Sequence, residues 1–249
     1  MNSGFYSAYA GFAARMDELD LVANNLANAS TTGFKAQREF YRSFDAWLQP
    51  STTTPLNQAV NQFGVLGGAR LDLSQGNIER TGNETDVALQ GPGFFAVLTK
   101  SGVRYTRDGS FRLDKDRNLV TAQGDQVLSE QPNRKNQPIQ IPSGKITMSP
   151  DGSITVDGAL LAKFRIEEFP AETPLKQEGN TYVVAPDGAG APATGTTLQQ
   201  GSLEASNSDP IRTTVTLIDL QRTSQMMERA LSIFHNEFNK TAAQDLPRV

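Results

Sequence analysis

Cysteine is absent from this chain and histidine occurs once, as His235. Without a thiol there is neither a disulfide nor thiolate chemistry, and one imidazole supplies neither a histidine-based metal site nor a histidine pair. No cofactor and no metal are expected. His235 falls in a stretch of helical periodicity, next to Phe234, with no serine or cysteine nucleophile placed by motif. A structural or solvent-facing histidine is expected there. The lack of cysteine leaves the compartment open, since it suits the cytosol and equally a protein that crosses into an oxidising space.

Long apolar runs are missing as well. No stretch approaches the roughly 18 residues that a membrane span needs, and the first amphipathic segment carries Arg15, Asp17, Glu18 and Asp20. Neither membrane insertion nor a signal peptide is expected, so a protein working outside the cytosol would leave by a route without a cleaved leader. An excess of positive charge is the third absence: 23 basic against 27 acidic residues give a net charge of −4. Such a chain has no basic field to neutralise a run of phosphates, which argues against nucleic acid as a partner.

What the chain does have is an apolar stripe at each end. Phe5, Tyr9, Phe12, Met16, Leu19, Ala23 and Leu26 recur at steps of four and three, and so do Leu217, Leu220, Ser224, Met227, Leu231, Phe234 and Phe238. Each set forms one seam on a helix, with Ser224 as a polar interruption, the spacing of a coiled-coil a/d face. Two readings follow from spacing alone: the helices cover a β core, or they join the termini to each other and to other molecules.

The first helix is expected to begin after Asn2 or Ser3 and to run until the polar cluster Asn28 to Gly33, with Gly33 marking the stop. Residues 34–48, rich in aromatics, read as a second helix or an extended arm, and residues 49–68, with Pro50, Pro55, Gly64, Gly67 and Gly68, as a linker. Beyond that, turn signals recur about every ten residues, among them Asp108-Gly109, Gly124-Asp125, Asp151-Gly152 and Asp157-Gly158, which argues for an all-β unit. Strands are expected at 94–98, 103–111, 119–120, 139–141, 146–148, 154–156, 160–169 and 182–185. Gly188 to Thr197 reads as a surface loop. Asp209-Pro210 writes a helix entry twice, as a cap oxygen and as a residue tolerated in the first turn.

Sharper chemical readings fare poorly. Asp114, Asp116 and Asn118 alternate like a calcium loop, but Leu119 stands where such a loop needs glycine, and a hairpin turn is expected instead. Glu167 and Glu168 are neighbours on a strand and point to opposite faces, so they cannot flank one glycosidic bond; solvated charges are the expectation. Arg104, Arg107 and Arg112 are interleaved with Asp108, Asp114 and Asp116, an ordinary exposed pattern.

Three blocks of sequence then resemble a known family. Ala23-Asn24-Asn25-Leu26-Ala27-Asn28 with Thr31-Thr32-Gly33-Phe34-Lys35 resembles the N-terminal signature of bacterial flagellar rod and hook proteins. The segments Ser74 to Ile78, Thr81-Gly82, Asp86 to Leu89, Gly91 to Phe95 and Tyr105 to Phe111 resemble that family's β-domain core. Gln200 to Asn207 resembles the opening of its C-terminal helix. The resemblance implies a mainly β protein with helical termini: an all-β central domain, with N- and C-terminal amphipathic helices forming a coiled-coil-like layer. The implied parts are an N-terminal assembly helix (1–33), a connecting arm and linker (34–68), an all-β outer domain (69–202) and a C-terminal assembly helix (203–249). It further implies export through the flagellar type III apparatus, a periplasmic place in the basal body, other rod subunits as partners, and no catalysis.

Within the family, the short uninserted β region is most like the proximal rod branch (FlgF-type), with the distal branch (FlgG-type) as the alternative. Two departures bear on that choice: no distal-rod insertion is evident between Lys35 and Gly68, and Asn239 to Val249 are more polar than the Leu-rich ending expected of a distal rod subunit. The assembly interface is then the two seams, with Asn24, Asn25, Leu26, Asn28, Gly33 and Phe34 shaping the exit from the first helix. The rivals are a wall-cutting enzyme, supported only by abundant carboxylates, and a monomeric β binding module capped by its helices.

Overall fold

The structure, a computed structural model, describes residues 2–42, 65–130 and 136–245. It is mainly β, with a helix near each end. In chain order, α1 spans Asn2–Ala27, β1 Gln37–Arg42, β2 Val65–Leu71, β3 Ile78–Arg80, β4 Val87–Gln90, β5 Phe94–Thr99 and β6 Gly102–Thr106. Then come β7 Arg112–Leu113, β8 Leu119–Val120, β9 Gln126–Val127, β10 Ile146–Met148, β11 Ser153–Val156 and β12 Ala159–Lys163. The last elements are β13 Ile166–Glu168, β14 Lys176–Glu178, β15 Tyr182–Val184, β16 Ala191–Pro192, β17 Thr197–Gln200, β18 Ser202–Glu204 and α2 Pro210–Asp245.

The chain divides into two compact units. The first comprises Met1–Leu26, Gln37–Ala69 and Pro210–Val249, and the second Ala27–Ala36 and Arg70–Asp209. The first therefore holds both helices and the β1 arm, and the second holds the β-rich middle.

In the second unit, β5 is the organising strand. It pairs antiparallel with β6, β9 and β13, within a sheet whose main path runs β14-β15-β6-β5-β9-β8-β7. Side chains alternate faces along a strand, so the adjacent Phe94 and Phe95 seed two different cores. Phe95 packs edge-on to Phe111, 5.0 Å between ring centroids, and lies 5.3 Å from Phe164, in a cluster with Val87, Leu89, Val97, Leu119 and Val127. Phe94 meets Phe169 at 5.8 Å in a smaller cluster with Val183.

Strands β17 and β18 return to pair with β4 and β3, so the run leading to α2 is stitched to the start of the β region. The Asp157-Gly158 turn closes the β11–β12 hairpin, with φ of 49° and 85° and Val156 opposite Ala159. Positive φ at both central residues matches the right-handed twist of the paired strands, which is why an Asp-Gly pair suits this turn.

Several boundaries differ from the sequence expectation. Helix α1 ends at Ala27, where the polar cluster begins and ahead of the stop at Gly33, because Asn28 turns the chain: its carbonyl accepts the Thr31 N–H at 3.0 Å, and its Oδ1 accepts the Thr31 hydroxyl at 3.2 Å. Between the two alternatives for the arm, Gln37–Arg42 is a strand. Strand β2 begins at Val65, inside the run read as linker, and pairs with β1; the rest of that linker, residues 49–64, and residues 43–48 of the arm lie outside the described residues. The long strand expected at 160–169 is two, β12 and β13, and residues 139–141 contribute only an isolated bridge, Asn118 to Gln140. Residues 114–118 form a turn in which Asn118 donates its N–H to Asp114 Oδ1 at 2.7 Å, and its side chain is the main reason the Asp114 carboxyl titrates below its ordinary range.

Candidate functional site

The second unit holds a buried ionic clamp that draws together the segments next to its chain boundaries. Gly33-Phe34-Lys35-Ala36 enters it from one end of the sequence and Ser202-Leu203-Glu204 from the other. The Gly33 N–H donates to the Glu204 carbonyl at 2.7 Å, which sets the two runs side by side. Across that contact Lys35 Nζ donates to Glu204 Oε1 at 2.7 Å and to the Ser74 carbonyl at 2.7 Å. The same Oε1 accepts the Gly76 N–H at 2.8 Å. On the other carboxylate oxygen, Arg107 Nη1 approaches Oε2 at 3.3 Å, while its Nη2 donates to the Gly91 carbonyl at 2.6 Å and its guanidinium carbon lies 4.7 Å from the centre of the Phe94 ring.

Glu204 is wholly buried, Arg107 is 1% exposed and Lys35 4%. One carboxylate thus faces two cations away from water. Burial lowers the pKa of both Lys35 and Arg107, and Glu204 pulls each part of the way back. A buried charge survives only where partners replace its hydration, and here nearly every polar atom has one. The exception is Arg107 Nε, buried without a hydrogen-bond partner.

Asn207 completes the clamp. Its Oδ1 accepts the Ala36 N–H at 2.7 Å and its Nδ2 donates to the carbonyls of Asp72 at 2.8 Å and Ser74 at 3.1 Å. The Asp72 N–H donates in turn to the Ala36 carbonyl at 2.8 Å. Residue 36 ends the first segment of this unit, Asp72 lies at the start of its second segment, and Asn207 stands just before that segment's end. One amide side chain therefore ties three of the unit's chain ends to each other.

The first unit uses the same device. Buried Asn25 on α1 donates Nδ2–H to the Gln37 carbonyl at 2.8 Å and accepts the Gln37 N–H through Oδ1 at 2.9 Å. A carboxamide offers the donor and acceptor of a peptide group, so Asn25 completes the pairing at the start of β1.

The seam residues are placed as follows. On α1, Val22 is buried and Phe12, Leu19, Ala23 and Leu26 are half-buried, whereas Tyr9 is 60% and Met16 39% exposed. On α2, Leu220 is buried and Leu217, Met227 and Leu231 are half-buried. Ser224 Oγ is buried with no hydrogen-bond partner among the described residues. The side chains of Phe5, Phe234, His235 and Phe238 lie outside the described residues. Of the motif residues, Asn25, Asn28, Gly33 and Phe34 are buried and Asn24 is exposed.

Sequence reasoning missed the clamp. Arg107 reads from sequence as one of several exposed arginines, whereas the chain buries it on Glu204. Glu167 reads as a solvated charge, whereas it is buried, accepting from the Tyr105 hydroxyl at 2.8 Å and from Arg165 Nε at 2.7 Å. Glu168 instead accepts the Thr196 hydroxyl at 2.9 Å, as opposite strand faces require. The signal that could have found the clamp is a charge inside each otherwise apolar or turn-forming block: Lys35 after Gly33-Phe34, Arg107 before Asp108-Gly109, and Glu204 after Ser202-Leu203.

Nothing in this arrangement resembles a catalytic centre. A recess beside the clamp, bordered by Lys35, Phe94, Arg107 and Tyr182, has a volume of about 10 Å³, room for at most one water and far below the ~300–1,000 Å³ of ligand pockets. Among the described residues no cluster of three metal-ligating side chains occurs, and no described helix is long and apolar enough to cross a membrane.

Two family models match the chain. One, described as flagella basal body rod protein, covers residues 5–35, and the other, the flagellar hook protein FlgE/F/G D1 domain, covers residues 88–156. The chain is similar to the flagellar basal-body rod protein FlgF of Caulobacter vibrioides, at 31% identity over 245 residues that cover 97% of this chain and 98% of the relative. It is also similar to the flagellar basal-body rod protein FlgG of Borreliella burgdorferi, at 32% identity over 258 residues, 95% of this chain and 96% of the relative. A partial likeness, 36% over 134 residues, links half of the chain to 19% of the flagellar hook protein FlgE of Helicobacter pylori.

Proposed function

Because the chain belongs to the flagellar basal-body rod protein family, we propose that it is a structural subunit of the proximal rod (FlgF-type) that joins neighbouring rod subunits through α1 and α2. The observation that carries this reading is the exposure of α2. Among its described side chains, residues 210–233, only Leu220 and Ser224 are buried. A helix draws most of its stability from an apolar face packed on something else, and an isolated one is marginal in water. A helix so little covered by its own chain over residues 210–233 needs neighbours.

The role is mechanical rather than catalytic. Long helices packed lengthwise resist bending through many small contacts, and the clamp fixes the segments from which they lead within a rigid β unit. The wall-cutting reading finds no site among the described residues to support it. A monomeric binding module would leave the apolar length of α2 in water without a use.

The proximal assignment rests on the sequence: no distal-rod insertion between Lys35 and Gly68, and a polar stretch after Asn239. Arrival at the rod through the flagellar type III export apparatus, into the periplasm and without a cleaved leader, follows from the family resemblance, and a chain free of cysteine suits it.

The test replaces Phe12 and Leu231 with aspartate in the chromosomal copy. Loss of swimming, with soluble protein still accumulating and retaining its β signal by circular dichroism, is the expected result; unimpaired swimming refutes the role of the helices. Cross-linking in purified basal bodies then assigns the position. Capture beside proximal components supports the FlgF-type reading, and capture only within the distal segment replaces it with the FlgG-type one.

A further inference from the structure

We propose that successive copies of this chain pair through the exposed faces of the terminal helices, the Tyr9–Met16–Asp20 side of α1 in one copy lying on the side of α2 away from its seam in the next, with Asp20 opposite Arg222. The inference rests on the reading of the terminal helices as assembly elements, and adds which face is used and what occupies it.

Nine large hydrophobic side chains are exposed among the described residues, and seven of them lie on the two helices. On α2 they do not belong to the side that Leu220 and Ser224 bury. Ile211, Val215, Ile218, Met226 and Ile233 are 78%, 56%, 43%, 63% and 62% exposed. At 3.6 residues per turn they fall with Arg222 and Arg229 inside an arc of about 80°, on the far side of the helix from Leu220 and Ser224. The stripe is therefore apolar with two cations in it, flanked by one carboxylate, Asp219.

Helix α1 carries the counterpart. Tyr9, Ala13, Met16 and Asp20 are all exposed and share one face, with Asp17 at its edge, opposite buried Val22 and Asn25. This stripe is apolar with anions. None of Asp17, Asp20, Arg222 and Arg229 makes an ion pair among the described residues.

The two stripes match in register as well as in sign. If the helices run antiparallel, Tyr9 faces Ile233, Met16 faces Met226 and Asp20 faces Arg222. If they run parallel, Ala13 faces Val215, Met16 faces Ile218 and Asp20 again faces Arg222. Asp20 and Arg222 meet in both cases.

Each stripe is exposed within its own protomer, so the partner is another molecule, and the same chain supplies the complementary surface. The two faces differ, which makes the contact head-to-tail. A head-to-tail contact leaves one free face at each end and adds copies in a ring or a helical row rather than closing as a dimer.

The absence of native cysteine gives a clean test. Two differently tagged copies, one with Asp20→Cys and the other with Arg222→Cys, are expressed together in flagellated cells and oxidised. A disulfide-linked species carrying both tags is expected. Separately, Asp20→Arg and Arg222→Asp each reduce swimming, and the two together in one chain restore it, because every contact between copies then holds the exchanged pair.

Absence of the mixed dimer overturns the assignment, as does a double variant no better than the singles, the result expected if a different rod subunit occupies the face. Leu231→Asp separates the two levels. If it swims normally, the assembly reading itself fails; if it does not swim and no mixed dimer forms, only the face and its occupant are wrong.

Discussion

Lys35 and Glu204 are 169 residues apart in sequence, yet their side chains meet at 2.7 Å in the interior of the β unit. The pair joins the segment that follows α1 to the strand that precedes α2. Removing one member of a buried ion pair costs far more than the pair contributes, because the other charge is left without compensation. Glu204→Gln would strand two cations against a neutral amide, and a loss of about 3–5 kcal/mol is expected from urea unfolding followed by far-ultraviolet circular dichroism. A loss below about 1 kcal/mol, the scale of a surface ion pair, would show that the clamp is not desolvated in solution.

The Lys35 ammonium gives the clamp a pH signature. Burial lowers its folded pKa below the ordinary 10.5, with Glu204 opposing the shift only in part. Between the folded and unfolded values the unfolded chain binds more protons, so this group makes stability rise with pH as 10.5 is approached from below. At lower pH both states are protonated and the cost of burying the charge is constant. Lys35→Met removes the titrating group, and the difference in urea midpoint between wild type and variant should move toward the wild type as pH is raised through that window. A difference independent of pH would mean that the ammonium remains hydrated.

The same clamp marks the limit of what the sequence reveals. Local signals are legible: Asp157-Gly158 is a two-residue hairpin turn, Phe94 to Leu98 lies within a strand, and Asp209-Pro210 opens the last helix, because each depends on neighbours a few residues apart. Strand β2 was hidden because Gly67 and Gly68 imitate a linker until β1 supplies hydrogen bonds. Arg107 and Glu204 lie 97 residues apart with no periodicity to connect them, and a buried ion pair leaves no pattern until the strands that carry it have paired.

Asn207 allows the two halves of an amide to be tested separately. Asn207→Ala loses the acceptor for Ala36 N–H and the donors to Asp72 and Ser74, and leaves those backbone groups short of partners, at about 1–3 kcal/mol. Asn207→Asp retains the acceptor but sets an anion against two carbonyl oxygens, so it should destabilise at least as much despite its closer shape. If Asn207→Asp proves as stable as the wild type at neutral pH, the donors from Asn207 to Asp72 and Ser74 do not exist in solution.

Gly33 separates conformational cost from steric cost when it is compared with Gly82. Both hold left-handed backbone, with φ of 67° and 77°. A side chain in that region costs about 1–2 kcal/mol by itself. A Cβ on Gly82 would meet nothing within 4 Å, whereas one on Gly33 would lie 2.2 Å from the Asp108 backbone nitrogen and 2.5 Å from the Arg107 carbonyl carbon. Those atoms belong to the run that carries Arg107 into the clamp, so they cannot retreat without disturbing its bonds to Glu204 and Gly91. Gly82→Ala should therefore lose only the conformational amount, and Gly33→Ala distinctly more. Urea unfolding of the two variants beside wild type decides the point: equal losses would mean that the Gly33 segment does not lie against Asp108, and that the close approach joining the N-terminal segment to the β unit is absent in solution.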